Sequence, residues 1–158
     1  MATDLALHFR DAAALSKLAF NAHGELGGIA SVLQSPQQRE LLQAGMMTAA
    51  DLGNATKPWE VHRHVSQLIA EEFWQQGDLE RREFNIEPQP MLDRTVALHG
   101  VQIQFLDSPC LTLYEDMSRF SPALKPLFEG CLANRMRWTS LNTNGKPKTE
   151  TGEHARNL

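Results

Sequence analysis

The spacing of apolar residues constrains this chain most. Almost every long segment repeats them by threes and fours, the period of a helix that buries one face, and no segment shows strong strand alternation. The repeat predicts an all-α protein. One helix is predicted over residues 3–20, with Leu5, Phe9, Ala12, Ala13 and Phe20 on its apolar side. A second opens at Ser35-Pro36, an N-cap followed by proline at the first helical position. It runs to about Leu52 with Leu41, Leu42, Met46 and Met47 inside, and Gly53 and Asn54 stop it. A third opens at Lys57-Pro58-Trp59 and carries Val61, Val65, Leu68, Ile69 and Phe73 in one stripe.

Glycine and proline supply the punctuation. The stretch from Ala22 to Gly28 holds three glycines and breaks the first helix. Gly77-Asp78 interrupts the third, leaving Leu79 to Phe84 as a short separate helix. Pro88, Pro90 and Gly100 make Ile86 to Gly100 mostly loop. From Val101 to Phe120 the apolar face returns with Leu106, Cys110, Leu113 and Met117, and Pro109 predicts a kink. Ser121-Pro122 starts the last helix, with Leu124, Leu127, Phe128, Cys131 and Trp138 inward. The polar end, residues 142–158, reads as a disordered tail behind one domain over 1–141.

Composition excludes several function classes. With 42% hydrophobic residues in 158, the chain has material for a core. Lys and Arg total 15 against 19 Asp and Glu, with no basic stripe, which argues against nucleic acid as a partner. No window reaches the roughly 18 apolar residues of a membrane span. Asp4, Arg10 and Asp11 interrupt the apolar stretch that a secretory signal needs, so a cytoplasmic location is expected. Cys110 and Cys131 are too few for a cysteine zinc site and read as buried free thiols. His62 and His64 form an H-x-H pair, but positions i and i+2 of a helix point to different sides and cannot share an ion. No H-E-x-x-H, G-x-S-x-G, phosphate loop or dinucleotide fingerprint occurs.

Longer motifs carry a resemblance. GMMTAADLGNATKPWEV (Gly45 to Val61), EEFWQQGDLER (Glu71 to Arg81), PMLDR (Pro90 to Arg94), VQIQFLDSPCLTLYE (Val101 to Glu115) and ATDLA (Ala2 to Ala6) stand in one order. In that order and spacing the chain resembles the class I 3',5'-cyclic nucleotide phosphodiesterases, most of all their GAF-containing branch with cGMP-hydrolysing members. The likeness runs from Ala2 to about Leu141.

The resemblance implies the C-terminal portion of a multi-helix catalytic domain that hydrolyses cGMP or cAMP with zinc and magnesium. It places a metal-binding aspartate on Asp51, the nucleotide-selecting glutamine on Gln102 and the aromatic clamp on Phe105. Gln102 offers one acceptor and two donors, enough to pair with a purine edge. Phe105 follows three residues later, on the same helix face. Leu52, Ala55, Ile69, Phe73 and Val101 match the pocket's apolar wall, and His62 a position at its rim. Thr3 and Asp4 match a motif near the metal-bound waters.

The family's other metal ligands and its His-Asn-x-x-His-Ala signature, which holds the general acid, fall before ATDLA. No catalytic general acid is therefore assigned in these residues, and 1–158 alone are expected to be inactive. The partners implied are a cyclic nucleotide, the rest of the same catalytic domain, and a second subunit in a homodimeric parent. The rival expectation is a non-catalytic helical interaction module derived from a phosphodiesterase. Ala50 stands where cysteine is usual before the aspartate, and Pro109 replaces an ordinary helix former.

Overall fold

The computed structural model describes residues 5–24 and 29–144. Seven α-helices make up most of them, and no strand occurs among the described residues. They are α1 (Leu5–Gly24), α2 (Ile29–Gln34), α3 (Pro36–Asp51), α4 (Trp59–Phe84), α5 (Leu98–Phe105), α6 (Leu111–Phe120) and α7 (Lys125–Asn144). The all-α expectation holds. Thr3, Asp4 and residues 145–158 lie outside the described residues; α7 reaches Asn144, past the expected start of the tail.

Two apolar clusters hold the helices. In the first, Leu15, Leu18, Ala19 and Ala22 of α1 meet Leu42 of α3 and Leu113, Met117 and Phe120 of α6. Gly45 lets α3 approach α1 closely, since a Cβ there would lie 2.8 Å from a Leu15 methyl. A buried carboxylate joins the same helices: Ser16 Oγ donates to Asp116 at 2.5 Å, and Arg119 donates to its other oxygen at 2.8 Å. The second cluster gathers Ala55, Leu106, Cys110, Tyr114, Cys131 and Trp138, with Leu52, Ile103, Phe105 and Phe128 packed against it.

Local chemistry explains the boundaries. Ser35 caps α3 by accepting from the Gln38 N–H, with Pro36 as its first residue. Gly77 does not interrupt α4, which runs unbroken to Phe84. The bare Cα admits another segment instead: a Cβ at Gly77 would sit 2.1 Å from the Leu92 carbonyl oxygen. This glycine is a packing contact. Asn85 ends α4 at φ 53, a left-handed cap that asparagine tolerates. The kink expected at Pro109 is present. Between α5 and α6 the chain makes a wide π-type turn, Leu106–Cys110, with Ser108 at φ −153, ψ 103.

Four helix faces differ from the sequence expectation; on α7 the difference is Leu127, expected inward but exposed one position before the half-buried Phe128. Phe9 and Phe20 of α1 are exposed, Phe20 by 72%; the inner face is rotated onto Leu15, Leu18, Ala19 and Ala22. On α3, Leu42, Gly45 and Thr48 are buried, whereas Met46 and Met47 face out. On α4, the stripe of Val61, Leu68, Ile69 and Phe73 is exposed, and His62, Ser66, Ala70 and Gly77 point inward. On α3 and α4, small and polar side chains take several of these positions, where backbones approach closely or a buried hydrogen bond is made. The α2 helix is an element the sequence spacing had not marked.

Candidate functional site

The end of α3 and the turn behind it are unusually well held. A helix end leaves its last carbonyls without intrahelical partners. Here the Tyr114 hydroxyl, on α6, donates to the Ala49 carbonyl at 2.7 Å. The chain then winds through a 3-10 turn, Gly53–Thr56. Asn134 of α7, itself buried, donates through its amide nitrogen to the Ala55 carbonyl at 2.9 Å and the Lys57 carbonyl at 2.8 Å. Gly130, one helical turn earlier, lets α7 rest on the same turn: a Cβ there would be 2.5 Å from the Thr56 carbonyl oxygen.

His62 completes the hold. The ring is 1% exposed, and Trp138 Nε1–H donates to its Nε2 at 2.8 Å. With Nε2 accepting, the ring is neutral and its proton sits on Nδ1. Nδ1 lies 3.0 Å from the Asn54 carbonyl and donates to it. Burial pushes the His62 pKa below its ordinary value, and the bond to Asn54 offsets part of that. Trp59 packs edge-on to Trp138 with ring centroids 5.1 Å apart. Asn54 donates to Ser66 Oγ at 3.3 Å, while its own Oδ1 is buried with no hydrogen-bond partner. His64, two residues on, is exposed, so the H-x-H pair does not converge.

Asp51 is the last residue of α3 and is exposed. A carboxylate there opposes the negative end of the helix dipole, a placement that a nearby cation would relieve. No cluster of three or more His, Cys, Asp or Glu that could hold a metal ion occurs among the described residues. One carboxylate does not make a centre for zinc and magnesium. Asp51, the expected ligand position, thus stands without a cluster of further ligands among the described residues.

The base-side residues fall into two groups. Leu52, Ala55 and Phe105 pack at one cluster, so the turn after Asp51 and the end of α5 contribute to the same core. Gln102 and Val101 are half-buried on α5, with Gln102 one turn before Phe105. Ile69 (41% exposed) and Phe73 (38% exposed) lie on the exposed stripe of α4 and are not members of that cluster. Asn134, Gly130 and Trp138 were not marked as site residues by the sequence. Asn134 carries no motif of its own, and only its distance from two carbonyls reveals it.

Cys110 and Cys131 are both fully buried free thiols in the second cluster, as expected. The Cys110 pKa is raised, first by its contact with Cys131 and then by burial. Burial likewise raises that of Tyr114, so its hydroxyl stays a donor to Ala49.

The all-helical fold and the sequence that forms it match a known class. The family model described as 3'5'-cyclic nucleotide phosphodiesterase matches residues 1–131. The chain belongs to that family. It is 39% identical over 158 residues to the cone cGMP-specific 3',5'-cyclic phosphodiesterase subunit alpha' of Mus musculus, a match covering 97% of this chain and 18% of that protein. It is 38% identical over 146 residues to the rod cGMP-specific 3',5'-cyclic phosphodiesterase subunit alpha of Homo sapiens, covering 89% and 17%. The solved structure of LmjPDEB1 in complex with IBMX superposes with a TM-score of 0.75 at 27% identity, over 90% of this chain and 41% of that one. The chain thus spans less than a fifth of the length of these photoreceptor relatives. No described helix is long and apolar enough to cross a membrane.

Proposed function

We propose that these residues form the base-recognising part of a 3',5'-cyclic nucleotide phosphodiesterase, with cGMP or cAMP as substrate. The observation that carries the reading is that Leu52, Ala55 and Phe105 belong to one apolar cluster, with Gln102 one turn before Phe105 on the same short helix. Phe105 supplies an aromatic face for the purine, worth roughly 1–3 kcal/mol by the strength of base stacking. Leu52, Ala55 and Val101 exclude water around it, and Gln102 pairs with the purine edge. Ile69 and Phe73 extend the apolar wall along α4, and His62 acts from behind it by holding the turn. Asp51 contributes one oxygen ligand toward zinc and magnesium, the metals the family resemblance implies. The described residues do not complete that centre, and the chemistry derived from them is recognition of the nucleotide. The cGMP-specific names of the photoreceptor relatives favour cGMP over cAMP. A cytoplasmic location and a homodimeric assembly belong to the same reading.

The rival is a non-catalytic helical module, favoured by the absence of a three-ligand cluster among the described residues. One experiment separates the two. The protein is expressed from its full coding sequence, and residues 1–158 are expressed alone; both are assayed with cGMP and cAMP plus zinc and magnesium. Turnover by the first and none by the second supports the proposal. No turnover by either supports the module, and turnover by residues 1–158 alone overturns the role given to Asp51 as a single ligand of a larger centre.

A further inference from the structure

We propose that Asn134 is a positioning residue for the nucleotide pocket, setting the turn that carries Leu52 and Ala55 into the cluster that Phe105 also joins. The inference rests on the functional reading above. It begins from a geometric fact that no pocket residue explains. One side-chain amide, 2% exposed and on the last described helix, spans two carbonyls of a turn nearly eighty residues earlier. Its amide nitrogen has two hydrogens, and the Ala55 and Lys57 carbonyls use both. Those oxygens lie at the exit of the 3-10 turn, where an unpaired buried carbonyl is costly.

Three features make this a device for holding a conformation. Asn134 contacts backbone only, so it fixes the path of the chain whatever side chains the turn carries. Gly130 brings the α7 backbone against Thr56, leaving the turn no room to slide toward α7. Hydrogen bonds at Ala55 and Lys57 pin the exit of the turn, and Tyr114 at Ala49 pins its entry. Between these pins lie Asp51, Leu52 and Ala55. The packing of Leu52 and Ala55 into the cluster that Phe105 also joins follows from where the pins hold the backbone.

Asn134→Asp is the direct test, because it keeps the shape and presents a carboxylate to two carbonyl oxygens. Gly130→Ala attacks the same turn without touching the hydrogen bonds. Leu15→Ala destabilises the other cluster and serves as the control. All are made in the protein expressed from its full coding sequence. Amide exchange by mass spectrometry and steady-state kinetics with cGMP are compared at matched distance below each variant's melting temperature. Both turn variants are expected to speed exchange over residues 52–57 by about tenfold or more, with α1 unchanged, and Leu15→Ala to do the reverse. Their KM is expected to rise about tenfold, with a smaller change in kcat, because the base wall moves.

If Asn134→Asp and Gly130→Ala open residues 52–57 no more than Leu15→Ala does, the inference is overturned. It is equally overturned if the turn opens while KM stays that of the unsubstituted protein. If the unsubstituted protein hydrolyses no cyclic nucleotide, the functional reading fails with it, and the pocket role falls too, whatever the exchange shows.

Discussion

Acid should loosen this protein through His62. The ring is buried and neutral, with Nε2 accepting from Trp138 and Nδ1 donating to Asn54. A proton on Nε2 would face the indole N–H directly and break that bond. Burial lowers the folded pKa below the ordinary 6.5, which the unfolded chain keeps. Below that pH the unfolded state takes up a proton that the folded state refuses. Stability is therefore whole above about pH 6.5 and falls as pH drops through it, until the folded ring itself protonates. For one proton the slope is at most about 1.4 kcal/mol per pH unit, which for a chain of this size is a fall in Tm of up to about 3–5 °C. The assay is thermal unfolding at pH 7.5, 6.5 and 5.5 for the unsubstituted chain and for His62→Gln. Glutamine does not titrate, and all other groups cancel in the difference. The two curves of Tm against pH should converge or cross as pH falls. Parallel curves would refute the buried, neutral assignment of His62.

Other consequences follow from the packing. Gly77→Ala puts a methyl 2.1 Å from a backbone oxygen that cannot rotate away, and should cost about 2 kcal/mol or more in urea unfolding. Trp138→Phe should cost about 1–3 kcal/mol by leaving His62 Nε2 without its donor, read from the shift of the urea midpoint at pH 7.5. Leu68, Ile69 and Phe73 form an exposed apolar stripe on α4, so residues 1–158 alone should associate as concentration rises in sedimentation velocity. The double change Ile69→Ser with Phe73→Ser should reduce that association, and an unchanged profile would locate the sticky surface elsewhere.

The helical class was legible because apolar periodicity survives even where the face is misread. On α6 the two residues read as inward, Leu113 and Met117, are buried, and Tyr114, Asp116 and Phe120 are buried with them. On α1, α3 and α4 the reading put exposed large side chains, Phe20, Met46 and Phe73, on the inner face. The buried positions there include Ala19, Gly45 and Ser66, whose small size is invisible to a hydrophobic pattern but permits close helix contact. Gly77 misled for the same reason, since a glycine that admits a neighbour's carbonyl looks like a glycine that breaks a helix. Candidate site positions were legible only through their flanking motifs; Gln102 and Phe105 alone are an ordinary polar and an ordinary aromatic residue on a short helix. The hold of α7 on the turn after Asp51 was not legible at all. It joins Asn134 and Trp138 to residues far away in sequence, and no local pattern encodes such a contact.

The most direct test of the central claim is steady-state hydrolysis by Gln102→Ala and Asp51→Ala in the protein expressed from its full coding sequence. Losing the Gln102 amide leaves purine edge atoms unmatched in a dry pocket, a cost of roughly 1–3 kcal/mol, or about five- to 150-fold in affinity. The account predicts that Gln102→Ala raises KM by a factor in that range while the enzyme still turns over. It predicts that Asp51→Ala abolishes turnover at saturating nucleotide. If Gln102→Ala left KM unchanged for both cGMP and cAMP while Asp51→Ala stayed fully active, neither residue would hold the role assigned to it, and the family likeness would describe ancestry alone.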